Sequence, residues 1–428
     1  MKLSTFKKTS IRKLLMNPCV LLMLVCGNFH AICQEQKSGL KVNAGITTHS
    51  KESILESTNV SHGSQRHGVP KIENGKIVPK KYVIQKSQKH VEKYDSIYRI
   101  TRSELLRMKQ SPEHFSLKKA VFAIENAFLE NRMDYTSFEN SIMDYIDFIL
   151  TAIDEAGLDP DKESSRQYML FKFMSDTLKV KSPYSEGILT HYPFQYDFED
   201  FRAEYDFTKQ FVTKLMSDGS GQCHSLPLLY LILAEELDIE AYLALAPNHS
   251  YIKIKDERGE FYNLELTRGQ FVSDGFMMGS GYITSTALQN NIYMDTLSKS
   301  QLILQLFNDL NEGYLKKFGW DDYAISQIET ILKEDPNNVI ALMNKSNGIL
   351  QTMRHEAESR GYPDIKTFTE NDEYGKYLDH LWQRQHQKLV QLGHQDMPKE
   401  AYNAWLQSVE EKAEEQKKDI KMNNIQKF

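Results

Sequence analysis

The stretch Gly219-Ser220-Gly221-Gln222-Cys223-His224-Ser225-Leu226-Pro227-Leu228-Leu229-Tyr230 joins a short glycine-containing run to an apolar segment through one cysteine. The apolar residues from Leu226 to Ala234 leave almost no polar side, which predicts a buried central helix. Cys223 then stands near the N-terminus of this helix. The helix dipole and a nearby imidazolium both lower the pKa of a thiol, so this position suits a reactive cysteine. With Ser225 as the N-cap, Pro227 falls in the first turn, where proline is tolerated.

A β-hairpin is predicted downstream of this helix. Asp256 lies opposite Glu260, and Gly259 takes the left-handed position of a three-residue loop. This register pairs Ile252 with Leu264 and Ile254 with Tyr262, which gives the hairpin one apolar face. A slip of one residue would destroy that face, so the pattern itself favours the register.

The other face of the hairpin carries polar side chains that could serve a thiol. His249 begins the first strand, and Glu265 lies diagonal to it on the second, within reach of a long side chain. A nucleophilic thiol needs a base, and the base needs a group that orients it. The predicted catalytic residues are therefore Cys223, His249 and Glu265.

Supporting roles fall to residues beside these three. The backbone N–H of Cys223 and the side chain of Gln222 are the candidates for stabilising an oxyanion. Asn263 is one side-chain step further from His249 than Glu265, so it is a supporting residue rather than the orienting one. His224 is the second candidate base, because its position next to Cys223 directs it elsewhere on a helix.

At these residues the sequence resembles the transglutaminase-like superfamily, in which a cysteine begins a helix and histidine and aspartate lie on adjacent strands. The resemblance covers about residues 115–290 and rests on Gly221-Gln222-Cys223, the apolar helix, the His249 strand and 261–267. Glu265-Leu266-Thr267 stands where the family has an Asp-Pro-Thr pattern. The resemblance is to a bacterial branch with helices before the core and tetratricopeptide-like (TPR-like) helices after it. It implies chemistry on amide bonds through a thioester, by hydrolysis or by acyl transfer, and the family also includes inactive members.

The expected fold class is therefore α+β: a helix-rich core with the cysteine-bearing helix on a small antiparallel sheet, followed by TPR-like hairpins. The predicted domains are a signal peptide at 1–33, a disordered linker at 34–80, the transglutaminase-like domain at 81–290 and a helical region at 291–428. Helical spacing predicts helices before the cysteine, and the segment 269–281 is expected to be a loop over the site. The predicted helices cover residues 120–128, 138–150, 167–178 and 200–216.

The helical region after the sheet carries one partial repeat match. Ala324, Ile328, Ile331 and Pro336 fit part of a tetratricopeptide repeat, and 335–338 predicts a turn between two helices. The charged segment from Tyr402 to Lys418 predicts a terminal helix with a solvated face, on which a protein partner could bind.

The first residues predict export. Five basic residues precede the apolar run from Pro18 to Val25, which is too short to cross a bilayer, and Ala31-Ile32-Cys33 fits a cleavage site. A signal anchor and a lipoprotein are the alternatives. Cleavage after Cys33 changes the net charge from −6 to −11 and leaves Cys223 as the single cysteine. An acidic exported protein is a poor partner for nucleic acid.

These observations predict a periplasmic or secreted cysteine enzyme without cofactor or metal, since His62 and His67 lack ligand spacing. Its substrate would be an amide in a peptide, a protein or the cell envelope. After cleavage no membrane-spanning segment is expected. Two alternatives remain: an inactive module of the same fold that binds a peptide or envelope component, and a helical scaffold with an incidental thiol.

Overall fold

A computed structural model describes residues 72–73, 76–77, 88–182 and 186–425. The predicted signal peptide lies outside these residues, and so does the predicted linker apart from two short strands near its end. The described chain is an α+β protein, as the sequence predicts. Ten strands are described: β1 (Ile72–Glu73), β2 (Lys76–Ile77), β3 (Leu178–Lys181), β4 (Ile188–His191), β5 (Gln195–Tyr196), β6 (Ser220–Gly221), β7 (Ala241–Ala246), β8 (His249–Lys255), β9 (Phe261–Glu265) and β10 (Gln270–Val272).

Helices make up most of the described residues, both before and after the central sheet in the chain. Those before it are α1 (Gln88–Gln110), α2 (Leu117–Phe128), α3 (Tyr135–Glu155), α4 (Glu163–Ser175), α5 (Val212–Asp218) and α6 (Ser225–Glu236). Those after it are α7 (Asp274–Gly281), α8 (Ser285–Gln289), α9 (Lys299–Phe318), α10 (Asp322–Glu334), α11 (Val339–Ser359), α12 (Ile365–Asn371), α13 (Glu373–Gln391) and α14 (Lys399–Ile425). None of the helices in this described part is both long and apolar enough to cross a membrane.

Side-chain caps set the start of the early helices. Ser116 accepts a hydrogen bond from the Lys119 N–H to begin α2, and Asp134 accepts one from the Ser137 N–H to begin α3. Gly157, with φ of +64°, follows the end of α3 in the left-handed conformation that often ends a helix. Helix α4 ends before the predicted limit of 178, because the chain continues into β3.

The helix predicted over 200–216 is wrong for most of its length. The Asp200 carboxylate accepts hydrogen bonds from the backbone N–H groups of Glu204, Tyr205 and Asp206. Asp200 also has a φ of +48°. The side chain thus folds its own loop and competes with helical hydrogen bonding, so only a 3-10 turn (Phe207–Gln210) and α5 form.

The central sheet is antiparallel, with strand order β10-β9-β8-β7. The predicted register is confirmed, since Ile252 pairs with Leu264 and Ile254 with Tyr262. Gly259 has a φ of +84°, as the predicted loop requires. Ile252 and Leu264 are fully buried in one core with the leucines of α6, so the cysteine-bearing helix packs on the apolar face of the hairpin.

Two elements beside the site differ from the prediction. The segment 269–281, expected to be a loop, contains strand β10 and helix α7, which begins at Ser273 with a side-chain cap to the Phe276 N–H.

The predicted turn at 335–338 is confirmed: α10 ends at Glu334, and Asn338 caps α11.

Candidate active site

Cys223 lies between β6 and α6, where the chain is tightly constrained. A Cβ atom on Gly221 would come within 2.7 Å of the Ser225 hydroxyl oxygen, so no side chain fits there. That hydroxyl accepts a hydrogen bond from the Gln222 N–H at 3.0 Å. Ser225 is the first residue of α6 and not its N-cap, which places Pro227 third. The N–H groups of Leu226 and Leu228 donate to the carbonyl oxygens four residues back, those of Gln222 and His224, so the proline leaves the Cys223 carbonyl oxygen without a helical donor.

Strand β8 contacts Cys223 through Ser250. The Ser250 hydroxyl donates to the Cys223 carbonyl oxygen at 2.6 Å, and the Ser250 backbone N–H points to the thiol. His249 is the residue before Ser250, so the strand that carries the predicted base runs beside the residue that carries the predicted nucleophile.

The thiol is not activated in this closed arrangement. Cys223 is 1% exposed. Burial raises the pKa of its thiol, the negative charge of Glu265 raises it further, and the N–H groups of Ser250 and Cys223 offset only part of this. The expected lowering of the pKa by the helix terminus is therefore not found, because desolvation outweighs it.

His249 and Glu265 form the contact that the hairpin register predicts. The His249 Nε2 atom lies 2.7 Å from the Glu265 Oε2 atom, and both side chains are buried. The other carboxylate oxygen, Oε1, accepts the Thr267 backbone N–H at 3.0 Å and the Thr267 hydroxyl at 2.7 Å. Burial raises the pKa of Glu265, but the charge and hydrogen bond of His249 and the two donors of Thr267 outweigh it and leave the pKa lowered. A carboxylate held in this way fixes the Nε2–H tautomer and leaves Nδ1 as the basic atom.

Thr267 was missed as a functional residue by the sequence reasoning. The spacing in the sequence could have indicated its role, because a threonine two residues after an acidic residue can donate both its N–H and its hydroxyl to the same carboxylate. The resemblance of Glu265-Leu266-Thr267 to the Asp-Pro-Thr pattern of the transglutaminase-like superfamily gives the threonine no role by itself.

The predicted supporting residues are engaged elsewhere. Gln222 is buried, and its Nε2 atom donates to the Asp200 carbonyl oxygen at 3.1 Å. The Asn263 Nδ2 atom donates to the Asp274 carboxylate at 2.6 Å, which ties β9 to the start of α7. Neither contact is with Cys223, His249 or Glu265.

His224 points away from the thiol, as the sequence predicts. Its Nδ1 atom lies 3.2 Å from the Gln210 carbonyl oxygen, and its Nε2 atom lies 3.2 Å from the Asp309 carboxylate of α9. Burial alone would lower the pKa of His224, but Asp309 and Gln210 raise it to about 9. His224 is therefore a cation at neutral pH and cannot act as a base for Cys223.

A cavity of about 80 Å³ is lined in part by His224, His249 and Ser250, but Cys223 does not line it. Its walls come mainly from α2 and α9, with further residues from β7, β8, α11 and the 3-10 turn. They are largely apolar and include Phe128, Phe211, Leu228 and Leu306, with His224 and His249 at one side. No group of three or more His, Cys, Asp or Glu among the described residues is arranged to hold a metal ion.

The segment 195–202 covers Cys223. Strand β5 runs parallel to β6 and pairs Tyr196 with Gly221, two residues before the cysteine. The Tyr196 hydroxyl is buried and has no hydrogen-bond partner. Tyr196 belongs to an aromatic run at 191–198, a pattern that fits either a loop lining a cleft or irregular core packing and does not single out Tyr196.

Helix α14 packs over this segment. The Gln416 Nε2 atom donates to the Tyr196 carbonyl oxygen at 3.1 Å, and Tyr402 packs on Phe201 and Arg202. Lys412 is close enough to Glu265 for that charge to act on its pKa, although burial and Arg268 lower the pKa overall. The face predicted to be solvated is thus partly used to close the site.

Comparisons with known proteins give little further information. No family model and no curated protein matches the chain. Among solved structures the chain is similar to menin, in a crystal structure that shows the menin binding site for the Mixed Lineage Leukemia (MLL) protein. The two share 10% sequence identity at a TM-score of 0.32, over 69% of this chain and 74% of that one. A likeness of this size does not establish a shared fold.

Proposed function

We propose that the protein is a cysteine enzyme of the transglutaminase-like class that acts on amide bonds through a thioester. The observation that carries this proposal is the 2.7 Å contact between the His249 Nε2 atom and the Glu265 carboxylate, beside a cysteine at a helix start. Within this proposal, the helices after the sheet are TPR-like hairpins, and residues 81–290 and 291–428 are separate domains.

In the proposed reaction the thiol gives its proton to His249 Nδ1 as the sulfur attacks the substrate carbonyl carbon. The resulting oxyanion collapses, the C–N bond breaks, and the amine leaves with the proton from the imidazolium. Water or a second amine then attacks the thioester and releases the thiol. Because burial raises the pKa of Cys223, the proton moves during the attack and not before it.

A second candidate is an inactive module that binds a peptide or an envelope component. Two observations favour it: the thiol is closed to solvent, and its pKa is raised rather than lowered. Glu265 in place of the aspartate of the family pattern supports it as well, since the longer side chain moves the carboxylate.

Acylation by p-nitrophenyl acetate separates the two candidates. This small ester needs no substrate-specific contacts, and acyl transfer releases p-nitrophenolate while mass spectrometry locates the acetyl group. An enzyme should be acylated at Cys223, and His249→Ala should slow this by about 10²-fold or more. The matched control is His224→Asn, which removes a partly buried histidine outside the proposed catalytic groups. Equal rates in the parent and both variants would favour the binding module.

We also propose that the protein is exported to the periplasm or secreted. The support is the basic start, the short apolar run and the cleavage pattern at residues 1–33. Mass spectrometry of the protein from its own cells should find Gln34 at or near the mature N-terminus. An intact Met1 form as the main product would contradict export by cleavage.

A further inference from the structure

The active site contains a buried hydrogen-bond donor that makes no hydrogen bond. Strand β5 pairs with β6 through the Gln195 N–H to the Gly219 carbonyl oxygen at 2.9 Å and the Asp197 N–H to the Gly221 carbonyl oxygen at 2.8 Å. These bonds fix Tyr196 beside Gly221, two residues before the cysteine. The Tyr196 hydroxyl is fully shielded from solvent and has no partner. An unsatisfied buried hydroxyl costs free energy, so its presence calls for an explanation.

Two charges of the candidate site act on this hydroxyl. Burial raises the pKa of Tyr196 far above its usual value, and the charges of Cys223 and then Glu265 raise it further. The geometric basis for setting the phenol beside the thiol is the pairing of Tyr196 with Gly221, two residues before Cys223. A phenol with a raised pKa stays protonated at every working pH and remains a donor.

The donor predicted from the sequence is already in use. The Gln222 Nε2 atom bonds the Asp200 carbonyl oxygen, and this bond secures the loop that Asp200 folds. To reach an oxyanion, Gln222 would have to break this contact. Tyr196 would break none, because its hydroxyl has no partner to lose.

We propose that the Tyr196 hydroxyl, together with the Cys223 backbone N–H, donates to the oxyanion that forms when the thiol adds to a substrate carbonyl. The inference rests on the proposed function, since it requires addition of sulfur to a carbonyl carbon. The C=O bond becomes a C–O⁻ that accepts both donors, and the C=O bond re-forms when the amine leaves. Tyr196 transfers no proton and is unchanged at the end.

Two reagents at the same thiol test the proposal. Iodoacetamide alkylates sulfur by displacing iodide from a saturated carbon, so no oxyanion forms. p-Nitrophenyl acetate acylates the same sulfur through a tetrahedral oxyanion. The ratio of the two rate constants cancels effects on thiol exposure and basicity, which act on both reactions.

For Tyr196→Phe we expect acylation to fall by about 10- to 10³-fold and alkylation to change by less than about threefold. The thermal unfolding midpoint should be unchanged or higher, because the substitution removes an unsatisfied buried hydroxyl. Tyr205→Phe is the matched control: Tyr205 is 93% exposed and lies just after the segment 195–202, and both rates should be those of the parent.

Three results would overturn the proposal. The first is a fall of both rates by one factor, which would indicate a positional role in shaping the site. The second is acylation equal to that of the parent. The third is a lowered unfolding midpoint together with a parent-like rate ratio, which would make the hydroxyl structural. Failure of the proposed function has a different signature, since His249→Ala would then leave both rates of an otherwise unaltered chain unchanged.

Discussion

Replacement of Glu265 by glutamine tests how the carboxylate supports His249. The carboxylate accepts three hydrogen bonds: one from His249 and two from Thr267. Glutamine has nearly the same shape but one acceptor oxygen and one donor amide. If its oxygen faces Thr267, the amide N–H groups face the His249 Nε2 atom, which must then accept. The imidazole proton moves to Nδ1, the atom that is needed as the base.

The opposite orientation of glutamine is worse. It directs the amide N–H groups at the Thr267 backbone N–H, which cannot turn away. We therefore expect the first orientation and the wrong tautomer. Acylation of Cys223 by p-nitrophenyl acetate should fall by about 10³- to 10⁴-fold, the range seen when a triad carboxylate becomes an amide. The free energy of unfolding should fall by about 1–3 kcal/mol, the worth of a hydrogen bond to a charged group.

The stability loss should depend on pH. The pKa of Glu265 is lower in the folded protein than in the unfolded chain, so its stabilisation is present above the unfolded value of about 4.3. That stabilisation is lost as the pH falls through the folded pKa. Urea unfolding at neutral pH and in acid should show the difference between parent and variant shrinking in acid.

The matched control for this substitution is Glu260→Gln. Glu260 lies at the turn of the same hairpin with an exposed side chain, and we expect no measurable change in either property. If Glu265→Gln acylates within threefold of the parent and unfolds at the same urea concentration, the argument from the hydrogen bonds is refuted.

Three other substitutions give expected outcomes. Thr267→Val removes one donor to Glu265 and should slow acylation by about tenfold or less, with Thr267→Ser restoring the rate; a rate equal to that of the parent would make the hydroxyl dispensable. Burial raises the pKa of Glu125 from 4.5 to about 7. Glu125 therefore stabilises the folded protein fully below the unfolded pKa, and about 3 kcal/mol of the free energy of unfolding is lost as the pH rises toward 7. Glu125→Gln should flatten this part of the stability curve in urea titrations, and an unaltered slope would show that Glu125 does not cause it. Tyr402→Ala should loosen α14 and speed iodoacetamide alkylation of Cys223 several-fold, whereas an unchanged rate would mean that α14 does not limit access.

Local patterns predicted the hairpin and the contact it supports. One register gives Ile252 and Leu264 a shared apolar face, and that register alone brings His249 within reach of Glu265. The same reasoning could not find β5, because it has two residues and pairs in parallel with a strand distant in the sequence. The position of Tyr196 depends entirely on that pairing.

Burial of the thiol could not be predicted from the sequence either. The helix terminus near Cys223 predicted a lowered thiol pKa. The pKa is instead raised by burial, because protein covers the sulfur. The covering residues come from segments that precede Cys223 in the chain, such as β5, and from segments that follow it, such as α14. The helix expected over 200–216 failed for a local reason that periodicity does not register: one carboxylate, that of Asp200, binds three successive backbone N–H groups.

The packing of α14 on the segment beside Cys223 makes the order of synthesis matter. Helix α14 follows every other described element in the chain, so Cys223 and its neighbours leave the ribosome long before α14 does. Until α14 docks, the thiol lacks part of its cover and is open to oxidation to a sulfenic acid. In the folded chain the same sulfur is shielded. The oxidation state of Cys223 therefore reports whether α14 had docked in each molecule before that molecule met an oxidant.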